Sequence, residues 1–385
     1  MRVGLIRGAY LSQFEMQTFE QMPGDVELTA YYIRSNRFDR NIINVPVQTL
    51  HAIDDPFSIV SGRAAFYFNL FLQATCGLDY YHFGLVKALA DKDIAHTMET
   101  FNAFSYQALQ AKRKWGTKLA VTVWENRPFA AERFAAKRRM KYEVLENADL
   151  FFAVTGRAAE CLKSEGADVS KIVVQPPGID LERFAPRPKP DDQLESLGIG
   201  PDDFVFLSVA ALRWEKGVFD VLYAFHRLLQ QRGMEHAKLL YAGGGPARGE
   251  LERRTMRLGL RDHVRIVKFP YDKMHAGYNL ADAFILASAP RPGWLEQFGY
   301  VLPEALASGV PVITTRSGSI PEVTGDAALL VPPADFLALS EQMQRLIADE
   351  SLRRDLAARG RARAEAEYDC RENARRIRAA YERIV

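Results

Sequence analysis

Short apolar runs alternate with longer amphipathic ones along this chain. Val3–Ile6, Val26–Tyr32, Ile94–Met98, Lys118–Val123, Leu150–Val154 and Ile172–Val174 form one set. Phe204–Ala210, Lys238–Ala242, Val264–Val267, Ala283–Leu286 and Val310–Thr314 form a second. Most of these runs are nearly continuous rather than strictly alternating. That suits strands of a parallel sheet covered on both faces. Stretches with helical spacing lie between them, among them Ala130–Asn147, Val218–Arg232 and Arg248–Leu258. Strand–helix alternation of this kind predicts doubly wound, parallel α/β sheets.

The pattern breaks once, over Phe184–Gly200, where Pro186, Pro188 and Pro190 suppress helix and sheet interiors. This predicts two α/β domains, 1–185 and 186–369, with a cleft between them. Ligands of such sheets bind beyond the carboxyl ends of the strands. No internal repeat or low-complexity tract interrupts either half.

Composition adds exclusions. The chain has 385 residues, 48% hydrophobic and 25% charged, an ordinary globular mixture of two-domain size. Fifty Lys and Arg against 48 Asp and Glu leave a net charge of +2, which gives no global field for nucleic acid. Cys76, Cys161 and Cys370 are isolated, as expected of a reducing, cytoplasmic compartment. Arg7 interrupts the first apolar run too early for a signal peptide. No run approaches the ~18 apolar residues of a spanning helix. The seven histidines include no His-Glu-x-x-His, and no Gly-x-Ser-x-Gly occurs. Asp91-Lys-Asp93 precedes a strand and reads as a solvated turn, so no metal is expected.

Three segments carry candidate chemistry. After the strand Phe204–Ala210 comes Ala-Leu-Arg-Trp-Glu-Lys-Gly, which places Arg213 and Lys216 in a strand-to-helix turn. Cations and helix amides there can hold a phosphate; the plain alternative is two solvated surface cations. Tyr241-Ala-Gly-Gly-Gly-Pro-Ala-Arg brings Gly243 and Gly244 where backbone can approach a ligand. It matches neither Gly-x-Gly-x-x-Gly nor the P-loop. The third is Arg291-Pro-Gly-Trp-Leu-Glu-Gln-Phe-Gly-Tyr-Val-Leu-Pro-Glu-Ala-Leu-Ala-Ser-Gly-Val-Pro-Val-Ile. Glu296 lies in a loop and Glu304 about two helical turns on. Two such carboxylates can accept bonds from different hydroxyls of one polyol, and the amides of Gln297, Phe298 and Gly299 can hold its phosphate.

Together, and in this order, these motifs resemble the retaining nucleotide-sugar glycosyltransferases of the GT4 family, which have the GT-B fold. Glu296 and Glu304 match its Glu-x7-Glu, and Arg213, Lys216 and Gly217 its diphosphate pair. Gly243–Pro246 matches its glycine turn, and Pro176-Pro-Gly-Ile-Asp its segment before the hinge. The resemblance implies that Glu304 binds ribose hydroxyls, and that Glu296 with the Gln297–Gly299 backbone holds the donor sugar. It implies that Arg213 and Lys216 neutralise the departing diphosphate, and that Phe269 and Tyr271 stand where the base is met. Gly8 matches a first glycine loop near the donor phosphate. His96 and Glu99 match a His-x-x-Glu segment at the cleft; the alternative is a core histidine and a surface acid. Trp124 departs from the family, standing where a histidine is usual, and Glu125 or Asn126 could replace its polar contact.

The expectation is therefore transfer of a sugar from a nucleotide diphosphate, of UDP or GDP type, to an acceptor hydroxyl, without metal or other cofactor. The final helix, 370–385, is expected to pack back on the first domain. The alternatives are a non-catalytic nucleotide-sugar-binding protein or another GT-B activity such as a nucleotide-sugar epimerase. The basic stretch 131–142, with Lys112–Lys114, is either a solvated face or a dock for anionic lipid.

Overall fold

A computed structural model describes residues 1–34, 36, 38 and 43–385. It divides into two compact units. Met1–Gly178 with Cys370–Val385 form the first, and Ile179–Asp369 the second.

The first unit is built on seven parallel strands: β1 (Arg2–Gly8), β2 (Glu27–Ile33), β3 (Val47–Leu50), β4 (Ile94–Met98), β5 (Lys118–Val123), β6 (Leu150–Ala153) and β7 (Ile172–Val174), in the order β3-β2-β1-β4-β5-β6-β7. The second has six: β8 (Phe204–Val209), β9 (Ala237–Ala242), β10 (Val264–Val267), β11 (Ala283–Leu286), β12 (Val312–Thr315) and β13 (Ala328–Val331), in the order β10-β9-β8-β11-β12-β13. Neighbouring strands are parallel throughout both sheets. Two parallel-sheet α/β units are the architecture that the run pattern predicts. Strands β3 and β13 are edge strands that the pattern does not flag. Only Leu50 is buried in the first and only Val331 in the second.

Period-two burial sorts the first sheet's side chains onto two faces. Ile6, Ala95, Leu119, Val121 and Phe151 point into one core. Val3, Leu5, Ile94, Ala120, Leu150 and Phe152 point into the other. The helix Cys370–Glu382 covers that second face with Ile377, Ala380 and Tyr381. In the second unit, helix Val218–Leu229 buries Phe219, Leu222, Phe225 and Leu228 against β8 and β9.

Two boundary shifts have a clear local cause. Residues 179–185 belong to the second unit rather than the first. The Ile179 N–H donates to Tyr368 O at 2.5 Å, and Phe184 is buried against Tyr278 at 5.8 Å between ring centroids. The helix expected over 130–147 begins only at Ala135, because Phe129 and Ala131 adopt positive φ, near 61°, which no helix continues through.

His96 is a correction. It was a candidate catalytic residue, but its ring is wholly buried in the first unit. Nδ1 lies 2.5 Å from the Tyr381 hydroxyl and Nε2 2.7 Å from Thr122 Oγ1. Phe19 and Phe152 pack around it at 5.6 and 5.2 Å. Burial, then the nearby Arg7, holds its pKa well below 6.5, so the imidazole is neutral. A neutral ring with both nitrogens satisfied pins the final helix to β4 and β5. Tyr381→Phe should leave Nδ1 without its partner and cost about 1–3 kcal/mol, read by urea unfolding of the full chain. An unchanged midpoint would refute the anchoring role.

Candidate active site

In the second sheet the connections reverse between β8 and β11, which opens the crevice where such sheets take ligands. Lys216 ends the short turn Trp214–Lys216 after β8. Gly217 follows at φ 65°, and a Cβ on it would collide with the carbonyl oxygen of Ala287, just past β11. Only glycine permits this approach. The Ala289 N–H seals it by donating to Glu215 O at 2.9 Å. The Glu296 loop is fixed in the same way. A Cβ on Gly318 would strike Glu296 O, and the Ser319 N–H donates to that oxygen at 3.0 Å.

These approaches join residues eighty positions apart. Lys216 Nζ lies 2.6 Å from Glu296 Oε2, and Ser288 Oγ donates to the same oxygen at 2.6 Å. Lys216 also sits 4.9 Å above the Trp294 ring. Glu296 is buried and Lys216 is 22% exposed on its side chain, so water screens the pair less than a surface pair. Arg213 is 57% exposed and lies 3.6 Å from Glu215, a loose surface contact. One edge of the sheet thus carries two cations, one braced and one exposed.

Glu304 sits in helix Val301–Ala307 and is 1% exposed. Its Oε1 accepts from the Tyr271 hydroxyl and its Oε2 from the Tyr278 hydroxyl, each at 2.7 Å. Burial pushes its carboxyl up to about 7, against the opposing pull of the two phenols and of Arg183. Glu296 and Glu304 therefore share a spacing but not an environment.

The other expected positions fall as follows. Gly243 follows β9, and a Cβ there would meet Ala210 O, while Gly244 faces open space. Phe269 is half-buried against Gly277. Gln297 is half-buried, and Gly299 takes φ 76° just before the helix. The Phe298 side chain is a core group, packed on Tyr300 and Tyr368 at 5.5 and 5.8 Å, so only its backbone is placed to meet a ligand. Tyr278, Ser288 and Trp294 were not singled out. A buried tyrosine in a helix looks like any core aromatic until its hydroxyl needs a partner.

In the first sheet the reversal lies between β1 and β4. Gly8 ends β1 at φ 56°, where a Cβ would press into Phe104. Glu99 follows β4 and is buried, not the surface acid of the plainer reading. It holds φ 59°, and its Oε1 accepts the backbone N–H of Trp124 at 3.0 Å and of Glu125 at 3.1 Å. Burial, with Glu125 nearby, pushes its carboxyl up to about 8. The Glu125 carboxylate turns onto Arg127, accepting from its Nε at 2.9 Å and its terminal nitrogen at 3.0 Å. Asn126 is buried, with its carbonyl accepting from Arg157 at 3.1 Å.

The stretch 131–142 is not a continuous basic face. Lys137 is buried on Asp79, and Lys141 on Glu132 and Glu165 at 2.8 and 2.7 Å. Arg133, Arg138 and Arg139 remain exposed.

Residues 190–363 match the family model of the glycosyl transferases group 1. A D-inositol 3-phosphate glycosyltransferase 2 of Catenulispora acidiphila is 34% identical over 194 residues, 48% of this chain and 44% of that protein. A GDP-mannose-dependent alpha-(1-6)-phosphatidylinositol monomannoside mannosyltransferase of Mycolicibacterium smegmatis is 33% identical over 180 residues, 45% of this chain and 46% of its own. The chain spans about half the length of the curated relatives it matches. Among solved structures, Anabaena HepE in complex with UDP superposes over the whole of both chains with a TM-score of 0.77 at 16% identity. A sucrose-phosphate synthase from Thermosynechococcus elongatus does so over 100% of this chain and 98% of its own, with a TM-score of 0.75 at 19% identity. The second unit thus resembles the glycosyl transferases group 1 over residues 190–363, and the whole chain has the GT-B architecture.

Proposed function

We propose that the chain transfers a sugar, with retention, from a nucleotide-diphosphate sugar to an acceptor hydroxyl. The observation that carries this reading is the Lys216–Glu296 pair, held at the edge of the second sheet by backbone contacts that only glycine allows. Lys216 and the exposed Arg213 face the diphosphate and stabilise the charge that develops as the C1–O bond to it breaks. No metal is needed for that charge. The leaving electron pair goes to the diphosphate oxygen, the acceptor oxygen bonds C1, and the acceptor's proton passes to the departing diphosphate. Glu296 accepts from a donor-sugar hydroxyl and Glu304 from the ribose. The relative named for GDP-mannose and the neighbour solved with UDP support a donor of this class. The acceptor reading stays with the carboxyl edge of the first sheet, where Glu99 sets the loop that bears Trp124 and Glu125.

The apolar face of helix Gly62–Thr75 supports docking on a bilayer with anionic headgroups. Phe66, Tyr67 and Phe71 are 57%, 67% and 59% exposed, and Arg63 is the one charge from Pro56 to Thr75. The following turn packs on helix Ala135–Asn147, which carries the exposed Arg138 and Arg139. Aromatic rings beside arginines suit an interface of apolar chains and phosphates.

Three outcomes are expected. Glu304→Ala and Lys216→Ala should each weaken nucleotide-sugar binding or turnover by at least about tenfold, the cost of an orphaned polar partner. Calorimetry and a transfer assay over UDP- and GDP-sugars read this, and wild-type behaviour of both variants rejects the site. A ribose hydroxyl needs the Glu304 carboxylate as acceptor, and that group gains its charge near pH 7. Affinity for a nucleotide-sugar, whose own diphosphate does not titrate there, should rise from about pH 6 to about pH 8. A flat profile contradicts the assignment. Finally, the chain should sediment with anionic vesicles and not with neutral ones, and Phe66→Ala with Phe71→Ala should reduce this. Equal sedimentation with both vesicle types rejects the dock.

A further inference from the structure

Glu304 has a neighbour that stands in the ligand's way. The carboxylate is 1% exposed, and each oxygen carries a phenol. The two phenols are not equivalent. Tyr278 lies inside helix Met274–Asn279 with no exposed surface, its ring packed on Phe184 and Phe284, each at 5.8 Å. That tyrosine is part of the core and fixes Glu304 Oε2.

Tyr271 belongs to a different kind of element. It opens the single turn Tyr271–Lys273 beyond β10, after the exposed Pro270, and is itself only half-buried. Its ring lies under the Arg183 guanidinium at 4.4 Å, and Arg183 also donates to the Tyr271 carbonyl. The Phe184 ring lies 6.2 Å from the Tyr271 ring, and the residue itself belongs to a loop turn rather than to a helix or strand of the sheet's core.

Resting on the donor-site reading, we propose that the Tyr271 hydroxyl is an internal stand-in for a ribose hydroxyl of the donor, occupying Glu304 Oε1 until the nucleotide displaces it. Tyr271 thereby sets donor affinity. A phenol and a ribose hydroxyl offer the same chemistry to a carboxylate, one O–H donor at about 2.7 Å. Held by Tyr271, Glu304 is satisfied while the site is empty, so no buried acceptor is left bare. The cost falls on the ligand. Its apparent dissociation constant is the intrinsic one divided by the fraction of molecules in which Tyr271 has released. Arg183 raises that cost, because its contacts with the ring and carbonyl must loosen as well. The stand-in also selects. A ligand that brings no hydroxyl to Oε1 pays for release and recovers nothing.

The test compares the full-length wild type with Tyr271→Phe, which keeps the ring and its stacking and removes only the competing donor. Titration with UDP-glucose and GDP-mannose should show Tyr271→Phe binding about three- to tenfold tighter, the net worth of one hydrogen bond. Stopped-flow association should be faster by a similar factor. Tyr271→Leu, lacking the ring, guards against a fold effect of the first variant and should also bind tighter; both variants should unfold cooperatively, at a somewhat lower temperature than the wild type because Glu304 Oε1 has lost its partner. Equal or weaker binding by Tyr271→Phe overturns the proposal, since the hydroxyl then does not compete or itself touches the ligand. If the wild type binds no nucleotide-sugar, or Glu304→Ala binds as tightly as the wild type, the donor-site reading fails and takes this inference with it.

Discussion

Two backbone contacts without room for a Cβ govern the candidate site. Gly217 against Ala287 ties the loop after β8 to the loop after β11, and Gly318 against Glu296 ties the latter to the segment after β12. Parallel strands whose connections leave on opposite faces open a crevice at their carboxyl ends. What the glycines add is closure of the loops around that crevice to hydrogen-bonding distance. Lys216 and Glu296 meet at 2.6 Å because their backbones cannot be pushed apart by side chains at these points. Any larger residue would move one loop and leave a buried carboxylate short of its cation, which is costlier than never having had the pair.

The same sheet edge handles its two carboxylates in opposite ways. Glu296 gains a direct cation and a serine hydroxyl. Glu304 has two phenols and only a more distant arginine, and burial lifts it toward neutral pH. Glu99 in the first unit follows the second pattern, with backbone amides in place of phenols. In both, burial raises the carboxyl and the neutral donors only partly offset it. Such a group is sensitive to what next offers it a hydrogen bond.

What could be read from the sequence follows from the range of the interactions. Strands β4, β5 and β11 coincide with apolar runs, because burial on both faces leaves a continuous local signal, and the edge strands β7 and β10 coincide with runs although they are only partly buried. Strands β3 and β13 lack that signal at their sheet edges. Lys216, Glu296 and Glu304 were legible through motif spacing, and the structure brings the first two together. His96 stayed open between a cleft residue and a core histidine because its partner Tyr381 lies 285 positions away. Lys137 and Lys141 looked like a basic face because Asp79, Glu132 and Glu165 come from other segments. Pairing across the fold is invisible to a pattern read within one helix.

The near-neutral total charge is therefore a poor guide to what an anion would meet. Arg7, Lys137 and Lys141 are buried with their carboxylates and present nothing to solvent. Lys216 is also paired, yet pairing does not remove it from use. Its ammonium has three donors, and Glu296 takes one at 2.6 Å. The pair aims the remaining N–H groups instead of consuming them. On the proposed reading, a diphosphate would not have to break the Lys216–Glu296 bond and would meet a cation already oriented. Arg213 is the looser of the two, 57% exposed and 3.6 Å from Glu215. One braced cation beside one exposed cation is an arrangement that would suit the proposed leaving group.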